Sequence, residues 1–210
     1  MNSTPPFPAP PADRDPDWQD LPLFPLGTVL FPGGTLPLKV FEARYVDMTR
    51  ECMKSGTPFG VCLIREGSEV GAPAVPHAIG CLAHIGAWDM PQLGVLHIRT
   101  RGTRRFRIDQ TRVEAGGLLR SRAAPLPADP PLAVLPEFAA LADVLKAILP
   151  RMPADRFPEP HRFDDASWLS NRLAEVLPIS PLARQKLMEL DDPQTRLSII
   201  HQFLGQQGLK

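Results

Sequence analysis

The chain is 210 residues long, with 23 Lys and Arg against 23 Asp and Glu and 43% hydrophobic residues, so its formal net charge is zero. That balance excludes nucleic-acid binding through overall charge, and no apolar run approaches the roughly 20 residues of a membrane helix. The outlier is proline: 26 residues, more than double the usual share of about 5%.

The first segment carries Pro5, Pro6, Pro8, Pro10, Pro11 and Pro16 with little apolar content, which predicts a disordered, Pro-rich tail over residues 1–19. It lacks the basic and apolar regions of a secretory signal. Cys52, Cys62 and Cys81 are odd in number and form no CxxC pair. A disulfide framework or a cysteine zinc site is therefore not expected, and a reducing cytoplasm is the expected setting.

Residues 20–124 read as a β-barrel subdomain. Leu21-Pro22-Leu23-Phe24-Pro25-Leu26 and Val29-Leu30-Phe31-Pro32-Gly33-Gly34 place prolines inside apolar runs, predicting edge strands or strands broken by bends. A short strand is predicted over residues 36–41. A helix follows over residues 42–54, stopped by Gly56. Phe59-Gly60-Val61-Cys62-Leu63-Ile64 is apolar on both alternating faces and suits a central strand. Further strands are predicted over residues 79–88, 95–101, 105–113 and 118–123. Several short strands with one helix indicate a small, partly closed barrel.

One hairpin can be given a register. Leu96, Ile98 and Thr100 share a face, as do Phe106 and Ile108, which pairs Arg101 with Arg105 and Arg99 with Arg107 across a loop at Gly102-Thr103-Arg104. The four arginines then form a two-by-two basic grid, with Arg104 at the turn and Arg112 nearby. Opposed like charges are destabilising, so either carboxylates cover the grid or it binds an anion, such as RNA phosphates or an acidic segment of a protein. Trp88, Met90 and Leu93 border a predicted loop over residues 88–94. They either cap the barrel core or, if exposed, grip apolar stretches of a polypeptide. His77, Cys81, His84 and His97 are examined as metal ligands, but a spacing of three along a strand sends Cys81 and His84 to opposite faces, so no metal site is expected.

Pro125, Pro127, Pro130, Pro131 and Pro136 predict a stiff connector over residues 125–136, and residues 137–210 read as a helical subdomain. Phe138, Leu141, Leu145, Ile148 and Leu149 recur at helical spacing, as do Leu169, Leu173, Val176 and Leu177. Asp164 or Asp165, Ser180-Pro181 and Asp192-Pro193 are the N-cap signals, and the last two helices show Leu182, Leu187, Leu190 and then Leu197, Ile200, Leu204.

In this order and spacing, the opening run from Leu21 to Gly34, Leu36-Pro37-Leu38, Phe41-Glu42-Ala43-Arg44-Tyr45, Phe59-Gly60-Val61 and Ile79-Gly80-Cys81-Leu82-Ala83-His84-Ile85 resemble the Lon protease N-terminal, or substrate-binding, domain. So do Arg101-Gly102-Thr103-Arg104-Arg105-Phe106-Arg107-Ile108, Leu173-Ala174-Glu175-Val176-Leu177-Pro178-Ile179 and Leu190-Asp191-Asp192-Pro193. The resemblance implies an α+β fold: a PUA-like β pseudobarrel followed by a C-terminal helical bundle. It also implies a module that recognises unfolded or extended polypeptide, with a separate ATPase or protease as a partner. RNA or another polyanion, bound by Arg99, Arg101, Arg105 and Arg107, is the alternative. No G-x-x-x-x-G-K-[ST] loop occurs, and none of the lysines sits near a serine in a catalytic motif. No catalysis, cofactor or membrane association is therefore expected.

Overall fold

A computed structural model describes residues 15–153 and 155–206. The chain divides into two compact units, one up to Leu126 and one from Pro127.

The first unit contains β1 (Leu21–Leu26), β2 (Thr35–Val40), α1 (Ala43–Ser55), β3 (Phe59–Glu66), β4 (Val75–Pro76), β5 (Ile79–Gln92), β6 (Val95–Val113) and β7 (Leu119–Pro125). The order β1-β7-β6-β5-β3 is closed into a ring by parallel pairing of β1 with β3, while β2 lies against β6 and β4 against β3. This is the partly closed barrel that the short strands imply. Its core holds Leu21, Leu23, Cys62, Leu82, Phe106, Leu119 and Ala123.

Three expectations change here. The prolines of β1 do not mark an edge, because β1 is buried along its whole length and paired on both sides. The pairing is staggered: Pro22 faces Arg120 of β7 and Pro25 faces Cys62 of β3, so each proline has a ladder on one side alone. Second, Val29-Leu30-Phe31 is a buried irregular stretch rather than a strand, closed by a turn in which Gly34 donates to the Phe31 carbonyl. Third, the tail expected over residues 1–19 differs where it is described. Pro16 is buried and Trp18 packs on the core, its carbonyl accepting from Ala123. Residues 1–14 of that tail lie outside the described residues.

Helix α1 ends where its sequence requires, with Gly56 at φ 69° donating to the Cys52 carbonyl. At its start Arg44 donates to Glu42 (2.9 Å) and to the Gly117 carbonyl (3.1 Å), and its guanidinium lies over the Tyr45 ring. Tyr45 in turn stacks on Phe24 at 4.0 Å between ring centroids. The Phe41-to-Tyr45 segment is thus a clamp joining α1, β1 and the turn before β7.

All three cysteines are buried thiols. Burial pushes the Cys52 thiol up to about 12, with Glu51 adding to the shift and Thr57 and Arg120 opposing it. Burial, with Cys81 beside it, pushes the Cys62 thiol higher still. Thiolate is the reactive form, so a thiol reagent at pH 8 is expected to label none of the three in the native chain and all three in denaturant. Stoichiometric labelling without denaturant would show that this core opens readily.

The second unit contains α2 (Ala139–Ile148), α3 (Ala166–Val176), α4 (Pro181–Glu189) and α5 (Pro193–Gln206). The cap signals are realised. Asp165 accepts from the amides of Ser167 and Trp168, Ser180 from Ala183, and Asp192 from Gln194 and Thr195. Leu141, Leu145, Leu169, Leu173, Leu197 and Ile200 are buried. Residues 132–134, expected within the connector, are held inside this unit: Val134 donates to Asp164, Ala166 donates to Leu132, and Ala133 bridges Asp165. Further back, Asp129 pairs with the buried Arg196. No helix among the described residues is long and apolar enough to cross a membrane.

Candidate recognition arm

Strand β6 spans both of the strands expected over residues 95–101 and 105–113. It runs unbroken for 19 residues, so no hairpin exists at residues 102–104. Gly102 is there for another reason: its amide donates to Gly34, its carbonyl accepts from Gly33, and a Cβ on it would lie 2.3 Å from the Phe31 carbonyl oxygen. The glycine admits the chain preceding β2 rather than turning β6.

The arginine grid accordingly does not form. Arg99 lies between Pro37 and Ala87, Arg101 between Thr35 and His84, and Arg107 between Ile79 and Ala124, while Arg105 pairs with Cys81. Arg105 is buried, Arg99 and Arg101 are half-buried, and Arg107 is exposed. None of the four opposes another. The directly opposed arginines are Arg112 and Arg120, across the β6–β7 hairpin. There, carboxylates do gather. Asp20 contacts Arg112 at 2.6 Å and Arg120 at 3.3 Å, Glu51 contacts Arg120 at 2.8 Å, and Glu114 contacts it at 2.8 Å. Partial burial works against the Arg120 charge, but the three carboxylates outweigh it and raise its pKa. The signal for this hairpin was present in Glu114-Ala115-Gly116-Gly117, where Gly117 takes φ 82°.

Trp88, Met90 and Leu93 belong to one element. They lie on a strand hairpin, not the loop expected over residues 88–94. Strands β5 and β6 continue to the facing pair Gln92 and Val95 and turn through Leu93-Gly94, with Gly94 at φ 82°. Pro91 is tolerated because this part of β5 is an edge. Strand β3 pairs with β5 opposite residues 81–83, and over residues 85–92, among the described residues, the ladder pairing of β5 is with β6 alone. Across the arm, Leu38 of β2, Ile98 of β6 and Trp88 of β5 form one row; Lys39, His97 and Asp89 form the next, on the opposite face. Ile98 is buried, whereas Trp88 is 56% and Leu93 93% exposed, with Met90 half-buried. The result is an open backbone edge flanked by a large apolar side chain and tipped by another.

Cys81 and His84 are buried, His77 is half-buried and His97 exposed. Among the described residues, no three His, Cys, Asp or Glu side chains are grouped as a metal site would need.

Comparison with known proteins adds the family. The Lon protease of Methylocella silvestris is 24% identical over 186 residues, covering 86% of this chain and 23% of its own length. Protein cereblon of Danio rerio is 28% identical over 113 residues, covering 52% of this chain and 26% of its own. The chain therefore spans about a quarter of the length of these curated relatives. Among solved structures, a Lon N-terminal domain protein from Xanthomonas campestris is 41% identical with a TM-score of 0.73, covering 87% of this chain and 96% of that one. The N-terminal domain of Mycobacterium avium complex Lon protease, 19% identical with a TM-score of 0.62 over 87% and 96% of the two chains, shares the fold. Residues 20–206 match the ATP-dependent protease La (LON) substrate-binding domain, and the chain belongs to that family.

Proposed function

We propose that this chain is a non-catalytic recognition module that binds unfolded or extended polypeptide on the open edge of β5. The observation that carries the reading is the coincidence of an unpaired strand edge with Trp88 at 56% exposure and Leu93 at 93%. A sheet edge offers alternating N–H and C=O groups to any extended backbone, giving affinity without a fixed sequence. Trp88, Met90 and Leu93 add apolar contacts that favour segments normally buried in folded proteins. Family membership supports the same reading, since the relatives with this domain include Lon proteases. A separate ATPase or protease would then act on what the arm holds, in a reducing compartment such as the cytoplasm.

Fluorescence anisotropy with labelled, unfolded apolar peptides tests this. Wild-type chain is expected to bind, and Trp88→Ala with Leu93→Ser to weaken binding at least tenfold, which corresponds to about 1.4 kcal/mol. N-methylation of alternate peptide amides should weaken binding in one register and spare it in the other. Absence of binding at high micromolar concentration would overturn the proposal. Binding indifferent to N-methylation would remove the edge-pairing mechanism.

A further inference from the structure

Residues 87–89 form the regular part of the open edge of β5. They face Arg99, Ile98 and His97 in unbroken register, with an irregularity on either side. An extended chain added to that edge takes its two faces from these three residues. Trp88 stands on one face and Asp89, also exposed, on the other. One oxygen of Asp89 accepts from the Met90 amide at 2.8 Å, and among the described residues no ion pair holds this carboxylate. It differs in this from Asp20, Glu51 and Glu114, which the arginines of the β6–β7 hairpin engage. Neighbouring strands lie about 4.8 Å apart, so a residue added opposite Asp89 is its immediate neighbour. Lys39, in the same row, is three strands from that position, about 14 Å. Arg99, on the same face, is two strands across and two residues along, about 12 Å. Both exceed the Debye length of about 8 Å at physiological ionic strength, so Asp89 sets the charge met there.

We infer that the edge selects extended segments in which an apolar residue is directly adjacent to a lysine or arginine. This rests on polypeptide binding by the β5 edge, and names the class of segment bound. The apolar side chain lies beside Trp88 and the cation beside Asp89, on opposite faces of the added strand. Unlike charges directly opposed across a strand pair are favourable, and like charges are unfavourable. A uniformly apolar segment fits Trp88 but presses an apolar side chain on Asp89, at the cost of the carboxylate's hydration. A slip of one residue exchanges the faces, so the same two contacts also fix register. Half-buried strands alternate apolar and polar residues, and those with a basic outer face carry this pattern once unfolded.

Fluorescence anisotropy with labelled peptides of equal length tests it, using repeats of Leu-Lys-Thr-Thr, of Leu-Glu-Thr-Thr and of Leu-Thr-Lys-Thr. The first and third share composition and charge, but the third places leucine and lysine on the same face. The full chain is expected to bind the first peptide about fivefold more tightly than the second, and more tightly than the third. Asp89→Asn keeps an oxygen for the Met90 amide and should erase the preference for lysine over glutamate. Asp89→Lys should reverse it, and the asparagine variant decides alone if the lysine variant folds poorly. Equal binding of the first two peptides, or a preference that survives Asp89→Asn, overturns this inference while polypeptide binding by the edge stands. Equal binding of the first and third does the same. Failure of every peptide to bind at high micromolar concentration overturns both.

Discussion

Gly102→Ala is expected to destabilise the first unit by about 3 kcal/mol or more, enough to leave much of the chain unfolded at moderate temperature. The added Cβ would sit 2.3 Å from the Phe31 carbonyl oxygen and 3.0 Å from Leu30 Cγ. The nearer atom belongs to the backbone, so no side-chain rotation relieves the clash. Any retreat of the Leu30–Phe31 segment also breaks the two hydrogen bonds, each 2.8 Å, that join Gly102 to Gly33 and Gly34. Gly116→Ala is the control, since a Cβ there meets nothing within 4 Å. Urea denaturation followed by tryptophan fluorescence should separate the two variants clearly. A Gly102→Ala midpoint within about 1 kcal/mol of wild type would mean that the segment before β2 moves freely, and that the account of β6 is wrong.

Arg196→Met is expected to cost the helical unit about 3–5 kcal/mol. The Arg196 side chain is 1% exposed and forms a short contact with Asp129, itself 8% exposed. It also donates to Ser170 Oγ at 3.1 Å and to the Leu190 carbonyl at 2.9 Å. Methionine fills much of the volume but removes the cation from beside the Asp129 carboxylate, to which Ser167 Oγ still donates at 2.6 Å, and the penalty is chiefly the carboxylate's unneutralised charge. The double variant Arg196→Met with Asp129→Asn should therefore be more stable than Arg196→Met alone. Denaturant unfolding read by far-UV circular dichroism measures both. Equal stability of the single and double variants would show that Asp129 finds other compensation.

Local punctuation made much of this fold legible. Gly56 stops α1 in a left-handed conformation, and Asp165, Ser180 and Asp192 cap the helices they precede, because these signals act within a few residues of themselves. Long-range pairing was not legible in the same way. Matching the apolar faces on either side of residues 102–104 pairs 95–101 with 105–113 and leaves Gly102-Thr103-Arg104 as a loop, whereas the role of Gly102 is set by Phe31, Gly33 and Gly34 far away in the chain. The prolines of β1 misled for a related reason: only the staggered partners β3 and β7 reveal that each proline needs a ladder on one side. Trp88, Met90 and Leu93 could be picked out as a group by type and proximity. Their exposure could not, since it depends on β3 ending its pairing at residues 81–83. The residues that carry the family resemblance, among them Gly33, Gly34, Arg44, Tyr45 and Gly102, turn out to build the barrel, so they disclose its architecture more readily than its binding surface.

The ring closure has a consequence for how the chain is made. Strand β1 is synthesised before both of its partners, residues 60–63 of β3 and 119–121 of β7. Until β7 has left the ribosome, Leu21 and Leu23 lack one of the neighbours that cover them, and the barrel must wait through roughly a hundred residues of elongation, at about 5–20 residues per second, before it can shut. Such distant contacts slow folding, because the intervening loop must be ordered before the closing pairs form. A nascent chain halted at Val113 would therefore hold β1 with its β7 side uncovered, leaving Leu21 and Leu23 without the strand that pairs them to Ser121 and Leu119.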